Sequence, residues 1–338
     1  MAKKVTLADI ASRAGVSSVA VSKALKGKPG VSDELRKKVR EIAQELGYQA
    51  GTSGRRAVKA MTGNIGVVVP EKYYGYSISF YGQLYEKVVR ALYDNQRYGI
   101  LELLKKEDEI AGTIPKVMQD GKVDGLIFLG QMDENYVRKM ISQTDLPVIF
   151  LDTYLSNLEF DTVVSDSYYG SYKLTGYLIG QGHRRIAFVG KADATSSISD
   201  RYWGYRKALR ENQIAFQDTW EIPDRDENGV SYEHILEKHG DVDAYVCNCD
   251  FTAHLLIQNL EELGYRVPED VSVVGFDNFL PMGMNMDMER ITTYAVDMEH
   301  MAKLCVTSLL AKIEHREYVQ GLQMVSGNLV YKRSVKKR

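Results

Sequence analysis

The first fifty residues place apolar positions at a helical period. In "TLADIASRA" Leu7, Ile10, Ala11 and Ala14 share one face, which predicts a helix from Leu7 to Ala14, and Thr6 with Asp9 forms a variant capping box. Gly15 can take the positive φ of a tight turn, Val16 plugs the core beneath it, and Ser17 offers an oxygen to cap a second helix, Ser18–Leu25. That helix turns Val21, Ala24 and Leu25 inward and leaves Ser18, Val19, Ser22 and Lys23 outward. Pro29 and Gly30 break the pattern, and Ser32 caps a third helix in which Leu35, Val39, Ile42, Ala43 and Leu46 recur until Gly47 stops it. Helix, glycine turn, helix is the form of a helix-turn-helix, whose second helix enters the major groove of DNA. A small three-helix bundle with no ligand shares the pattern.

From Asn64 onward the pattern changes to short apolar strands alternating with amphipathic helices, the mark of parallel α/β layers. "NIGVVVP", "YGILEL", "DGLIFLG" and "PVIFLD" are answered by "RRIAFVG", a weaker "TWEI", "DAYVCNC" and "VSVVGFD". The series predicts two doubly wound halves, a duplication with a cleft between the strand ends. Helices are expected over Tyr81–Tyr93, Ser165–Gln181 and Arg201–Asn212. Met298–Ile313 is long enough to cross back to the first half, and "VSGNLVYKRSV" can return to the second as a final strand.

Charge sharpens the division. Of the chain's 43 Lys+Arg and 45 Asp+Glu, residues 1–60 hold 13 and 5, which leaves 30 and 40 for the remainder. A basic head on an acidic body suggests a polyanion-binding module joined to something that avoids polyanions, with a solvated basic face as the alternative. At 338 residues the chain exceeds one hydrophobic core. No run is long enough for a membrane span and no secretory signal is expected at the start, so a cytoplasmic protein is expected. Three cysteines, two of them in "CNC" (Cys247, Cys249), provide no disulfide framework.

The outward residues of the second helix suit a DNA groove. Ser17 and Ser22 are short hydroxyls able to reach phosphates, Lys23 can reach a guanine edge or a phosphate, and Val19 can touch a thymine methyl. The whole stretch "VTLADIASRAGVSSVAVSKALKGKPGVSDELRKKVREIAQELGY" resembles the DNA-binding headpiece of the lactose-repressor/galactose-repressor (LacI/GalR) family of bacterial transcription regulators. The resemblance implies that Ser18, Val19 and Lys23 read bases and that Thr6, Ser17 and Ser22 clamp phosphates. In that family a hinge helix follows, introduced by Pro-Asn and carrying a leucine that wedges into the minor groove. Here Ala50 and Gly51 replace the pair and Ala57 replaces the leucine, while Gly51 and Gly54 make a poor helix. Arg55, Arg56 and Lys59 around Ala57 point to an electrostatic rather than an intercalating hinge, with a flexible linker as the alternative.

The likeness continues through "VSDSYYGSYKLTGYLIGQGHRRIAFVG", "RYWGYRKAL" and "VPEDVSVVGFDN", covering nearly the whole chain. It implies an α/β fold: an N-terminal all-α helix-turn-helix headpiece plus a two-lobed periplasmic-binding-protein-like body of two doubly wound parallel sheets. The expected boundaries are 1–49 for the headpiece, 50–62 for the hinge linker and 63–338 for an effector-binding and dimerisation domain. Lobe one takes about 63–164 and 296–324, lobe two about 165–295 and 325–338.

Polar groups at strand ends are the candidates for holding an effector, because a buried carboxylate or guanidinium needs hydrogen-bond partners that a polyhydroxylated ligand supplies. By position these are Gln131, Asp152, Asp250 and Asp277. Arg201 matches the family position that binds effector, and Ser197 is expected in the loop just before it. Tyr74, Tyr76 and Phe80 are expected in the loop after the first strand, placed to stack on a sugar ring or to pack in the core. Helix caps and loop salt bridges are the competing roles for the carboxylates. Asp166 reads as helix packing and His183 as a structural turn. Cys247, Cys249 and His254 lack a fourth ligand, so core packing is expected there rather than a metal.

These features together predict an effector-responsive transcription factor, a repressor by the family's default. It would act as a homodimer on double-stranded operator DNA, with a small-molecule effector, a sugar first, between the lobes, and with no cofactor, metal or membrane. One rival is a solute-binding protein, which would need an export signal and no headpiece. The other is a cytoplasmic sugar-binding α/β protein or sugar-acting enzyme, casting Asp152 and Asp277 as acid and base, though they belong to opposite lobes and no nucleophile accompanies them. No phosphate-loop or nucleophile-elbow motif is present.

Overall fold

The structure, a computed structural model, describes residues 7–25, 31–46, 61–74, 79–155, 160–227, 229–279, 287 and 289–338. Its contacts divide into two units, Met1–Met61 and Thr62–Arg338.

The first unit holds α1 (Leu7–Ala14), α2 (Ser18–Leu25) and α3 (Asp33–Glu45). Gly15 has φ +71°, and Val16 N donates to Ala11 O at 3.1 Å, so the glycine closes α1 and throws the chain into the turn. Ser17 Oγ then accepts from Ala20 N at 3.2 Å and Ser32 Oγ from Leu35 N at 3.3 Å, capping α2 and α3. Ile10, Val21, Ala24 and Val39 are fully buried at the centre of a small separate core.

The second unit begins where Asp124 fastens it: its carboxylate accepts from Thr62 N, Thr62 Oγ1 and Gly63 N. There follow β1 (Asn64–Pro70), α4 (Glu71–Tyr74), α5 (Phe80–Asp94), β2 (Tyr98–Leu104), α6 (Lys106–Ala111) and α7 (Lys116–Gln119). Then come β3 (Gly125–Leu129), α8 (Glu134–Ser142), β4 (Val148–Leu151) and β5 (Thr162–Ser165). The chain passes into the second lobe with α9 (Ser167–Gly180), β6 (Ile186–Val189), α10 (Ser196–Glu211), β7 (Glu221–Ile222), β8 (Ala244–Cys247), α11 (Asp250–Glu262), β9 (Ser272–Val274) and β10 (Thr293–Ala295). It returns through α12 (Met298–Ile313) and β11 (Leu322–Val325) to the first, and ends in the second with β12 (Asn328–Val330).

The first sheet is parallel, in the order β11-β5-β4-β3-β1-β2, and the second, also parallel, is β7-β6-β8-β9. In both, the first strand lies between the second and the third, so each lobe has its own switch point. Runs such as "VVV" in β1 and "LIFL" in β3 are buried throughout, as strands covered on both faces must be. α5 and α12 close one face of the first sheet, where Leu84, Val88, Met301, Cys305 and Leu309 meet Ile65, Val67 and Ile149. α9 and α10 pack closely in the second lobe because Gly204 has no side chain: a Cβ there would sit 2.0 Å from the Tyr168 carbonyl oxygen.

Three short crossings join the lobes. Only Asp166 separates β5 from α9, two residues separate β10 from α12, and Ser326 and Gly327 separate β11 from β12. The last two touch: Gly327 N donates to Tyr294 Oη at 2.7 Å, and a Cβ on Gly327 would lie 2.1 Å from Ala295 O.

Several expectations change. β5 and β11 were not anticipated, so the first sheet has six strands and the second four rather than a matched series. β5 also delays the following helix, which starts at Ser167 under an Asp166 cap (Oδ1 to Tyr169 N, 3.2 Å). "TWEI" divides into a 3-10 turn, Asp218–Trp220, and the two-residue β7. The terminal strand β12 pairs antiparallel with β10. No helix among the described residues is long and apolar enough to cross a membrane.

Candidate functional site

On α2 the residues proposed to meet DNA lie opposite the core. Val21 and Ala24 are buried, Val19 is 66% exposed, Ser18 and Lys23 are exposed and Ser22 is partly so. An isolated valine held in solvent on a short helix is available for an apolar contact. Ser17 already caps α2 through Oγ, and its hydroxyl hydrogen is left to donate. Thr6, Arg55, Arg56 and Ala57, with Ala50 and Gly51, lie outside the described residues.

In the body, a cavity of about 560 Å³ opens between the lobes. Tyr73, Phe80 and Tyr81 line it from the first lobe, and Arg225, Cys249, Asp277 and Phe279 from the second. Phe80 and Phe279 meet edge to face across it, their centroids 6.2 Å apart.

Asp152 and Asp277 follow the ends of β4 and β9, and both have left-handed backbones, φ +58° and +98°. Such conformations cost about 1–3 kcal/mol for a non-glycine residue and cluster where a side chain must be aimed. Asp277 Oδ1 receives Arg201 Nη2 at 2.9 Å. The same guanidinium donates to Asn248 O at 2.6 Å and Ser167 Oγ at 3.3 Å and stacks over Phe276 with Cζ 3.9 Å from the centroid. Arg201 is therefore a buried keystone one layer behind the wall. Burial raises the Asp277 carboxyl, and Arg201 opposes the rise.

Asp152 is less fully partnered. Tyr81 Oη donates to its Oδ2 at 3.0 Å, whereas Oδ1 is buried without a hydrogen-bond partner among the described residues. Burial lifts its pKa to about 7 against the pull of Arg201 and Tyr81. Asn248 Oδ1, at the end of β8, is likewise buried and unpartnered, although Nδ2 donates to Asp224 Oδ2 at 2.7 Å. Both atoms are acceptors, so what each lacks is a hydrogen-bond donor.

The remaining candidates separate. Gln131 Oε1 accepts from Thr153 Oγ1 at 2.9 Å and Ser196 N at 3.4 Å, linking the lobes at the cleft's margin. Asp250 lies behind the wall, its Oδ2 accepting from Phe279 N at 2.8 Å, with its carboxyl raised strongly by burial and by Asp277. Ser197 is not in a loop: α10, capped by Thr195, begins at Ser196, five residues before the expected start, so Ser197 stands in the first turn with Oγ 3.1 Å from Thr195 Oγ1. Tyr74 ends α4 and packs edge-on to Tyr85 at 6.3 Å, a core contact, and Phe80 opens α5, so neither occupies a loop. Tyr76 lies outside the described residues. Cys249 caps α11 through Sγ and its thiol is pushed up to about 11 by burial, while Cys247 is core. Among the described residues no group of three or more His, Cys, Asp or Glu could hold a metal ion. His183 is structural, its Nε2 3.0 Å from Lys336 O and its Nδ1 3.5 Å from Asp243 Oδ1.

Tyr73, Arg225 and Asn248 were missed. Arg225 forms a bidentate pair with buried Asp224 (Nε to Oδ1 3.0 Å, Nη2 to Oδ2 2.7 Å), which aims it at the cavity. It sits in an irregular stretch after β7, where no periodicity marks it.

Two family profiles match the chain: "Bacterial regulatory proteins, lacI family" over residues 6–50 and "Periplasmic binding protein-like domain" over residues 175–335. The HTH-type transcriptional regulator MalR of Streptococcus pneumoniae is 30% identical over 82% of this chain and 84% of its own length. The chain belongs to the lacI family of bacterial regulatory proteins. The HTH-type transcriptional regulator RegA of Clostridium saccharobutylicum is 29% identical over 97% of this chain and 98% of its own. Among solved structures, a complex of the transcriptional regulator CelR with cellobiose superposes with a TM-score of 0.70 at 24% identity, covering 98% of this chain and 100% of that one. As a lacI-family member the protein is a DNA-binding regulator of transcription and not an enzyme.

Proposed function

We propose that this lacI-family regulator is a cytoplasmic homodimeric repressor whose operator affinity is set by a sugar held between the lobes. The observation that carries the reading is an interlobe cavity lined by aromatic rings and Asp277 and backed by two buried, unpartnered acceptors: Asp152 Oδ1, on the carboxylate bonded to the cavity-lining Tyr81, and Asn248 Oδ1, on the residue before the cavity-lining Cys249. Leaving such acceptors unmet costs about 1–3 kcal/mol each, and sugar hydroxyls would remove that cost. Asp277, aimed by Arg201, accepts further hydroxyls, and the cellobiose in the CelR complex is a suitable first probe.

Residues 1–49 form the reading head, 50–62 the linker and 63–338 the sensor. Ser18, Val19 and Lys23 read bases, Thr6, Ser17 and Ser22 hold phosphates, and Arg55 and Arg56 beside Ala57 follow the backbone into the operator centre. A dimer sets two heads on half-sites about one helical turn apart. The lobe placement preferred by sugar changes whether both heads bind together, and the operator must change sugar affinity by the same factor. A gel-shift with the promoter of the protein's own gene, at increasing salt and with and without cellobiose, tests this. Steep salt dependence together with a sugar-dependent shift is expected; salt-sensitive binding that no sugar alters would overturn the effector assignment.

A further inference from the structure

A second hollow of about 960 Å³ opens on the first lobe, over the C-terminal ends of β1, β2 and β3. Lys72 and Glu227 line both this hollow and the interlobe cavity, so the two form one trough with a lysine of the first lobe and a glutamate of the second at the join. The order of strands reverses between β1 and β3, the place where an open α/β sheet leaves room for a ligand.

The shelf has an apolar floor and a polar rim. Leu104, Met132 and Tyr136 are buried beneath it, and Ile110 stands 77% exposed at its side on the otherwise charged "KEDEIA" helix α6. Asn135 and Lys139 stand on the rim from α8, Lys139 Nζ held by Gly112 O at 2.7 Å. Such a surface accepts the C–H face of a pyranose below and its hydroxyls at the edge.

Charge excludes an anion. Five carboxylates and three lysines line the shelf, and four carboxylates against three cations line the inner cavity. The inner cations are engaged: Arg225 with Asp224, Lys191 with Glu227 at 2.6 Å, and Lys72 over the Tyr73 ring. A phosphate would meet net negative walls. Small-molecule sites span roughly 300–1,000 Å³, a range the inner cavity satisfies alone, so one sugar ring leaves the shelf to water.

Resting on the reading of the cleft as a sugar site, we propose that the trough takes an uncharged oligosaccharide of two or three rings, its end ring in the inner cavity and the next on the shelf beside Ile110 and Asn135. Calorimetric titration of the full chain with glucose, cellobiose, cellotriose, maltose, maltotriose, lactose and glucose 6-phosphate tests it, alongside the exposed-site variants Ile110→Asp and Asn135→Ala. The best oligosaccharide should bind about tenfold more tightly than glucose, and the two substitutions should erase that gain while glucose affinity stays unchanged. Equal affinity for glucose and its oligomers, a gain that survives both substitutions, or preference for glucose 6-phosphate overturns the shelf and leaves the sugar cleft standing. Binding by no member of the panel removes the sugar reading and the shelf with it.

Discussion

Tyr81 Oη donates to Asp152 Oδ2 at 3.0 Å, and the other carboxylate oxygen is buried without a hydrogen-bond partner among the described residues. Because burial lifts the Asp152 pKa from 3.8 to about 7, the folded state holds that proton more tightly than the unfolded chain does. Its contribution to stability is complete below about pH 4 and is lost as pH rises through about 7. A ligand hydroxyl donating to Oδ1 favours the ionised form, so effector affinity should rise between pH 6 and 8. Titrations at several pH values check this. Tyr81→Phe, lacking a donor that lowers the pKa, should move the midpoint upward, and Asp152→Asn should flatten the curve; a flat wild-type profile would remove Asp152 from the ligand.

Arg201→Ala should damage the fold as well as the site. The guanidinium serves Asp277, Asn248 O and Ser167 while 5% exposed, and removing one partner of a buried pair costs about 3–5 kcal/mol. Urea unfolding should show that loss, and the double variant Arg201→Ala with Asp277→Ala should recover part of it. Unchanged stability in the single variant would show that Asp277 finds another partner.

Lys23→Ala should leave the body untouched and weaken operator binding. If Lys23 meets a guanine, the loss is about 1–3 kcal/mol and preference relaxes at one base pair; if it meets a phosphate, the loss is uniform and the salt slope falls by about one. Fluorescence anisotropy on operator variants at several salt concentrations separates these outcomes. Indifference to the substitution would place α2 outside the groove.

Gly204→Ala tests the close approach of α9 and α10. Replacing a helical glycine by alanine ordinarily gains about 1 kcal/mol, but here the new carbon would sit 2.0 Å from a backbone oxygen. Helices must part to admit it, and overpacking typically costs about 1–3 kcal/mol or more. A lowered melting temperature is expected, and a raised one would mean that the two helices separate freely.

Legibility in the sequence followed the locality of the cause. The bounds of α1 and α2 could be read because caps and apolar period lie within a few residues of each other. Asp152 and Asp277 stood out as charges ending apolar runs. β5 and β11 did not, because "TVVS" and "LQMV" are only four residues long, and β11 finds its place only by pairing with β5 across 160 positions (Leu322 with Thr162). Arg225 and Asn248 owe their placement to Asp224, a contact that no spacing announces. Arg201 could be recognised by position, but its role as a support for Asp277 needed the third dimension.

The three connections between the lobes impose a mechanical limit. Ser165 and Val325 are paired across the neighbouring strands β5 and β11, and the third connection leans on the second where Gly327 meets Ala295. With so little slack the lobes have no room to slide or draw apart, and the inexpensive motion left to them is rocking about this short seam. A few hydroxyls captured in the cleft would thus be converted into torque along a single sheet margin.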